Sequence, residues 1–213
     1  MKRKAQSDAP GDAEVRRLLV RYQCPVPFHA VRSRFLGHIV CPGPGTPPMQ
    51  ALQELWDGEF PRFESIDEAN TLFEVLLKGL WNRLTRHQER KSPFRLTRVP
   101  TPTDGEELKQ FAQRRVDELE GFADGLFAGE DELELPERAH QAMQELGDLN
   151  SFFAAFVQFA DEPDTDKEFA ETARNAQQLS YIAEKEINAV VLACTKARRQ
   201  MLTEQGVGRP RLH

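Results

Sequence analysis

A chain of 213 residues with 39% hydrophobic and 29% charged side chains can bury a core without staples, because folding at this size removes about 70% of the unfolded chain's surface from water. That composition excludes a fibrous or wholly disordered chain, and the apolar runs are far too short for a bilayer span. The net charge of −6 is divided unevenly, +5 over residues 1–100 and −11 over residues 101–213, so broad contact with a phosphate backbone would have to use the amino-terminal half alone.

In chain order, Met1-Lys2-Arg3-Lys4 is basic, but the polar and acidic residues from Ala5 to Glu14 are no leader core, so residues 1–10 read as a disordered tail. Val15, Leu18, Leu19 and Tyr22 predict a short helix. A second runs from Phe28 to Val40 and stops at Cys41-Pro42-Gly43-Pro44-Gly45, which cannot continue a helix. Pro47 and Pro48 open a brief helix that ends at Trp56-Asp57-Gly58. Ser65 with Glu68 forms a capping box, and behind it Ile66, Ala69, Phe73, Leu76, Leu77, Leu80 and Leu84 share one face of a helix of about five turns.

Residues 91–103, with Pro93, Pro100 and Pro102, read as an extended connector and a hinge between halves. Within it only Phe94-Arg95-Leu96-Thr97 alternates like a strand, and one strand is not a sheet. Asp104 and Glu107 repeat the start signal ahead of Leu108, Phe111, Ala112, Leu119, Phe122, Ala123 and Leu126. Pro136 suits a first helical turn and precedes Ala139, Met143, Leu146, Leu149, Phe153, Phe156 and Val157. Phe152, Phe153, Phe156 and Phe159 cover more than one face, which predicts a central helix. After a turn at Asp161-Glu162-Pro163, Leu179, Ile182, Ala183, Ile187, Val190, Val191, Cys194, Ala197 and Met201 mark a last long helix ending near Gly206.

The predicted class is therefore all-α, a multi-helix bundle of antiparallel helices, short in the amino-terminal half and long in the carboxy-terminal half. One domain is expected over residues 11–204, comprising a half at 11–90, the connector at 91–103 and a half at 104–204, with residues 205–213 a flexible tail. Cys24, Cys41 and Cys194 are odd in number and form no CxxC pair, which fits a reducing cytoplasm and neither a disulfide framework nor a structural zinc.

Two stretches resemble the YecA/YgfB-like family of bacterial all-helical proteins. Phe35-Leu36-Gly37-His38-Ile39-Val40-Cys41-Pro42-Gly43-Pro44, running through Trp56-Asp57-Gly58-Glu59, is similar to the family's glycine-Phe-Leu helix, its Gly/Pro break and its short tryptophan-bearing helix. Gly121-Phe122-Ala123-Asp124-Gly125-Leu126 resembles its second Gly-Phe-Leu-x-Gly helix. The likeness spans about Phe28 to Met201. This chain departs from it at Arg34, where the family commonly has glycine, and at Glu118, where it commonly has tryptophan. Some members end in a zinc-binding SEC-C segment, and with no cysteine beyond Cys194 that function does not carry over. The resemblance implies an α-helical fold, a cytoplasmic setting and a regulatory or adaptor role.

Candidate chemistry is sparse. His29, His38, His87, His140 and His213 show no HExxH and no paired spacing. His38 and Cys41 stand one helical turn apart, yet two ligands do not make a metal site and packing explains both. Glu130, Asp131, Glu132, Glu134 and Glu137 lack the order of a calcium loop and suit a helix amino terminus instead. Gly43 and Gly45 have no Walker lysine and no leading strand. Gly208-Arg209-Pro210 has the core of a minor-groove hook but lacks the flanking arginine.

No catalytic residue, cofactor or metal is therefore expected, and the chain reads as a protein-binding or regulatory adaptor of unknown partner with no membrane association. The candidate partner-binding residues are Trp56, Phe60 and Phe63, because aromatic side chains beside a turn often anchor a partner. The alternative is nucleic-acid binding through Arg16, Arg17, Arg21, Arg32, Arg34, Arg83, Arg86, Arg90 and Lys91, and behind that stands a metalloprotein or an enzyme.

Overall fold

Helix starts lie where the capping chemistry puts them. The structure, a computed structural model, describes residues 11–43, 45–130, 133–159 and 166–207. Helices α1 (Asp12–Arg21), α2 (Phe28–Val40) and α3 (Pro48–Gln53) are short. Helix α4 (Ile66–Phe73) runs on through a π-helical stretch, Glu74–Trp81, into α5 (Asn82–Leu84) and a 3-10 turn, Thr85–Gln88. Helices α6 (Gly105–Phe127), α7 (Glu137–Phe159) and α8 (Asp166–Val207) are long. No strand occurs among the described residues, so the molecule is the expected all-α bundle.

Both N-caps form, and the return bond of each acid falls on the residue before the N-cap, one position earlier than in a capping box. The Ser65 hydroxyl accepts from the Glu68 N–H at 3.3 Å, and the Glu68 carboxylate accepts from the Glu64 N–H at 3.1 Å. Asp104 accepts from the Glu107 N–H at 2.8 Å while Glu107 accepts from the N–H and hydroxyl of Thr103, each at 2.8 Å. Each cap satisfies one N–H that helix geometry leaves without an intrahelical partner, and the return bond ties the preceding residue to the helix.

The stripe behind Ser65 differs from its prediction. Ile66 is 80% exposed, and the buried line is Leu72, Leu76, Leu80 and Leu84. These leucines are four apart, a spacing that drifts around an α-helix but stays nearer one line where i→i+5 bonding widens the turn.

Helix α2 is the central element. It buries Phe28, Ala30, Val31, Phe35, Leu36, Ile39 and Val40, a set covering most of its circumference, as a helix enclosed by neighbours requires. Its principal partner is α6, and the two meet through glycine. A Cβ on Gly125 would stand 1.9 Å from the Arg34 carbonyl oxygen, one on Gly37 2.4 Å from that of Phe122, and one on Gly121 2.8 Å from that of Ala30. Backbone here lies against backbone, so the glycines of the family-like motifs set the crossing distance.

Helix α7 is not central, contrary to the expectation from its phenylalanines. It packs on α6 and α8 through Ala139, Ala142, Leu146, Leu149 and Phe153, and leaves Phe152 55% exposed. The side chain of Phe159 lies outside the described residues.

The connector is not a free hinge. Phe94 and Leu96 are buried, and the backbone around them is bonded by side chains from α6 and α8. Asn188 accepts from the Phe94 N–H at 2.8 Å and donates to its carbonyl at 3.0 Å, and Glu184 accepts from the Leu96 N–H at 3.1 Å. The Thr97 N–H donates to Glu118 at 2.7 Å, while its carbonyl accepts from Arg115 at 2.8 Å. Side chains replace the ladder that a lone extended segment lacks, and so answer the demand that buried backbone groups be paired.

The basic tail 1–10, Asp131 and Glu132, the turn at Asp161-Glu162-Pro163 and Gly208-Arg209-Pro210 lie outside the described residues. Of the tail expected at 205–213, the first three residues belong to α8, which continues through Val207.

Candidate functional site

The aromatic turn folds back on the bundle. After α3 the chain passes through Asp57 and Gly58, both at positive φ, which a glycine accommodates without cost. Trp56 then donates from its indole N–H to the Tyr22 carbonyl at 2.8 Å. Phe60 lies edge-on to Phe73 at 5.2 Å, and Phe63 meets Tyr22 at 5.3 Å and Phe73 at 6.1 Å. All three candidate residues are half-buried and packed against the core, so they offer a partner ring edges rather than freed side chains.

His38 and the thiols are embedded in packing. The His38 side chain is 1% exposed, and its ring lies nearly parallel to that of Trp81 with centroids 6.4 Å apart. Its Nε2 is 3.3 Å from a Glu54 oxygen but off the hydrogen-bond direction, and neither ring nitrogen has a hydrogen-bond partner among the described residues. Burial, reinforced by Arg34, pushes its pKa from 6.5 down to about 4. His38 is therefore neutral at pH 7. Burial likewise pushes the Cys24 thiol up to about 11 and that of Cys194 up to about 12.

The His38 shift makes stability depend on pH. Well above 6.5 the histidine is neutral in both states and costs nothing. As pH falls from 6.5 towards 4, the unfolded chain takes up a proton that the fold excludes, so stability drops. Between pH 6.5 and about 5 the loss due to His38 is on the order of 2 kcal/mol. Urea unfolding of wild type and His38→Gln at both pH values should show that difference removed in the variant. Equal pH slopes would contradict this account.

Apart from Arg86, Arg90 and Lys91, the basic residues named in the amino-terminal half are individually engaged. Arg21 pairs with Glu68, Arg34 with Asp124 and Arg83 with Asp12, while Arg17 is 3.6 Å from Glu14. Arg32 donates to the Arg95 carbonyl at 3.1 Å, and Arg16 lies over the Phe28 ring at 4.1 Å. Arg90 and Lys91 behave differently. They follow the 3-10 turn and face α8 across a groove of about 840 Å³, lined by Gln88 to Lys91 on one side and on the other by Leu192, Thr195, Lys196, Arg199, Gln200 and Thr203.

The α8 wall follows from helix spacing. Those six residues recur at intervals of three and four and so form one ridge, about 16 Å long at the rise of an α-helix. The opposite wall is held in place. Arg198 donates to the Ile39 carbonyl and, at 3.2 Å, to Gln88, while His87 bonds the Ser92 carbonyl at 2.8 Å and so closes the loop that carries Arg90 and Lys91.

The groove thus gathers four exposed cations, Arg90, Lys91, Lys196 and Arg199, against one acid, Glu89. None of the four makes an ion pair or a side-chain hydrogen bond among the described residues. At its floor Leu192 is half-buried, and the buried Thr195 hydroxyl has no hydrogen-bond partner among the described residues. Sequence reasoning found Arg90 and Lys91 but missed Lys196 and Arg199, which stand in the acidic half; their i, i+3 spacing was the available signal. The aromatic turn makes no contribution to this lining, and the glutamates at 130, 134 and 137 also lie elsewhere.

Among the described residues no helix is long and apolar enough to cross a membrane, and no group of three or more histidine, cysteine or acidic side chains is placed to hold a metal ion. Comparison of the chain with known protein families, curated proteins and solved structures finds no match in any of the three.

Proposed function

We propose that the chain is a non-enzymatic protein-binding adaptor or regulator that receives its partner in the groove between residues 88–91 and α8. The observation that carries this reading is the set of four cations, unpaired among the described residues, on the two walls above a half-buried leucine. Four cations held in one groove with the single acid Glu89 repel one another, and an acidic partner relieves that repulsion while also speeding the encounter. The likeness to YecA/YgfB-like proteins points to the same role. A cytoplasmic, reducing setting suits the three free thiols.

The test is affinity capture from native lysate with the full chain, run beside two variants. One reverses the groove (Arg90→Glu, Lys91→Glu, Lys196→Glu, Arg199→Glu) and the other removes the turn aromatics (Trp56→Ala, Phe60→Ala). Loss of the captured protein on groove reversal alone is the expected result. A profile that the reversal leaves unchanged removes the groove from the proposal, and a loss confined to the aromatic variant moves the binding surface to the turn.

A further inference from the structure

We infer that the groove takes an acidic, amphipathic segment of a partner protein, about three helical turns long, with an apolar side chain on Leu192 and carboxylates between the cationic walls. This rests on the proposed function and adds the chemistry of the occupant.

Three features of the groove choose this occupant over a nucleic acid. Its described residues include no aromatic ring, so they offer no platform on which bases could stack, the usual source of affinity for single strands. Its floor is Leu192, and the aliphatic stems of Arg90, Lys91, Lys196 and Arg199 extend that apolar surface towards the charged rim. A phosphate strand has nothing to place on such a floor, whereas an amphipathic helix lays its apolar stripe there.

The third feature is register. Lys196 and Arg199 are one turn apart on a straight ridge, which matches carboxylates at i and i+3 or i+4 on a facing helix. The chain as a whole carries a net charge of −6 with these cations included, so the surface outside the groove would repel the same segment and the groove selects the position as well as the ligand.

The probe is a labelled helical peptide of about 14 residues, with glutamates at i and i+3 and leucine at i+4 in repeats, followed by fluorescence anisotropy against the full chain. Lys196→Glu with Arg199→Glu should weaken binding about tenfold, and replacing the probe's leucines by serine should weaken it about fivefold. A probe with lysine for glutamate should bind the reversed variant better than wild type. Both substitutions are of exposed residues, and unchanged circular dichroism confirms that the variant is folded.

The inference is overturned if the lysine probe binds wild type equally well, or if no saturable binding occurs. It is also overturned, in favour of nucleic acid, if a single-stranded oligonucleotide of about ten residues binds more tightly than the peptide at the same salt. Should the peptide fail while groove reversal still abolishes capture from lysate, the occupant is wrong and the proposed function survives. Should the peptide behave as expected while capture ignores the reversal, the proposed function falls and the chemistry of the groove stands.

Discussion

Gly125→Ala is expected to destabilise the protein by about 3 kcal/mol or more, although alanine is the better helix former by about 1 kcal/mol. The reason is distance. The added Cβ would stand 1.9 Å from the Arg34 carbonyl oxygen and 2.8 Å from its carbonyl carbon, both backbone atoms of α2, which cannot turn aside as a side chain does. Helices α2 and α6 would have to separate, and Phe35, Leu36, Phe122 and Leu126, all fully buried, would lose contacts with them.

The neighbouring positions calibrate the claim. Gly37→Ala, with contacts at 2.4 and 2.5 Å to α6 backbone, should cost nearly as much, and Gly121→Ala, at 2.8 Å, should cost less. Gly147→Ala on α7 meets nothing within 4 Å and should stabilise by about 0.5–1 kcal/mol through helix propensity alone. Urea unfolding of the four variants gives the order directly. A neutral Gly125→Ala would mean that the crossing is looser than the structure has it.

How far the sequence foretold this arrangement depends on how local the cause is. Ser65 with Glu68 and Asp104 with Glu107 are local chemistry, and both helices begin where those residues placed them. Phe28 to Val40 was legible in full because proline and glycine bound it on both sides. The outward turn of Ile66 was not, because a π-helical stretch changes the phase of the leucine line and no residue type announces it.

Prolines announced that residues 91–103 are extended, yet what pins them comes from Glu118, Glu184 and Asn188, between 21 and 94 residues away. The groove was hidden for the same reason. Arg90 and Lys91 counted as members of a basic half, and Lys196 and Arg199 were submerged in an acidic one, so a charge sum by halves cancelled the patch that the fold assembles.

The second large effect is expected where that extended segment is tied down. Arg115→Leu should cost about 3–5 kcal/mol, because it leaves Glu118 buried without its cation. Arg115 also donates from Nε to the Ser180 hydroxyl at 2.9 Å and from its guanidinium to the Thr97 carbonyl, so one side chain joins α6, α8 and the connector.

Replacing a buried ion pair by apolar residues is often neutral or stabilising, since the desolvation cost of two charges disappears with them. Here the pair also satisfies two backbone groups of Thr97, and removing it orphans an N–H and a carbonyl, each worth about 1–3 kcal/mol when buried. Arg115→Leu with Glu118→Met should therefore remain about 2 kcal/mol or more less stable than wild type. Amide exchange at Thr97 should rise more than at Phe94 and Leu96, whose N–H groups Asn188 and Glu184 still hold. A double variant as stable as wild type, with exchange unchanged at Thr97, would show that burial of Phe94 and Leu96 alone keeps the connector in place.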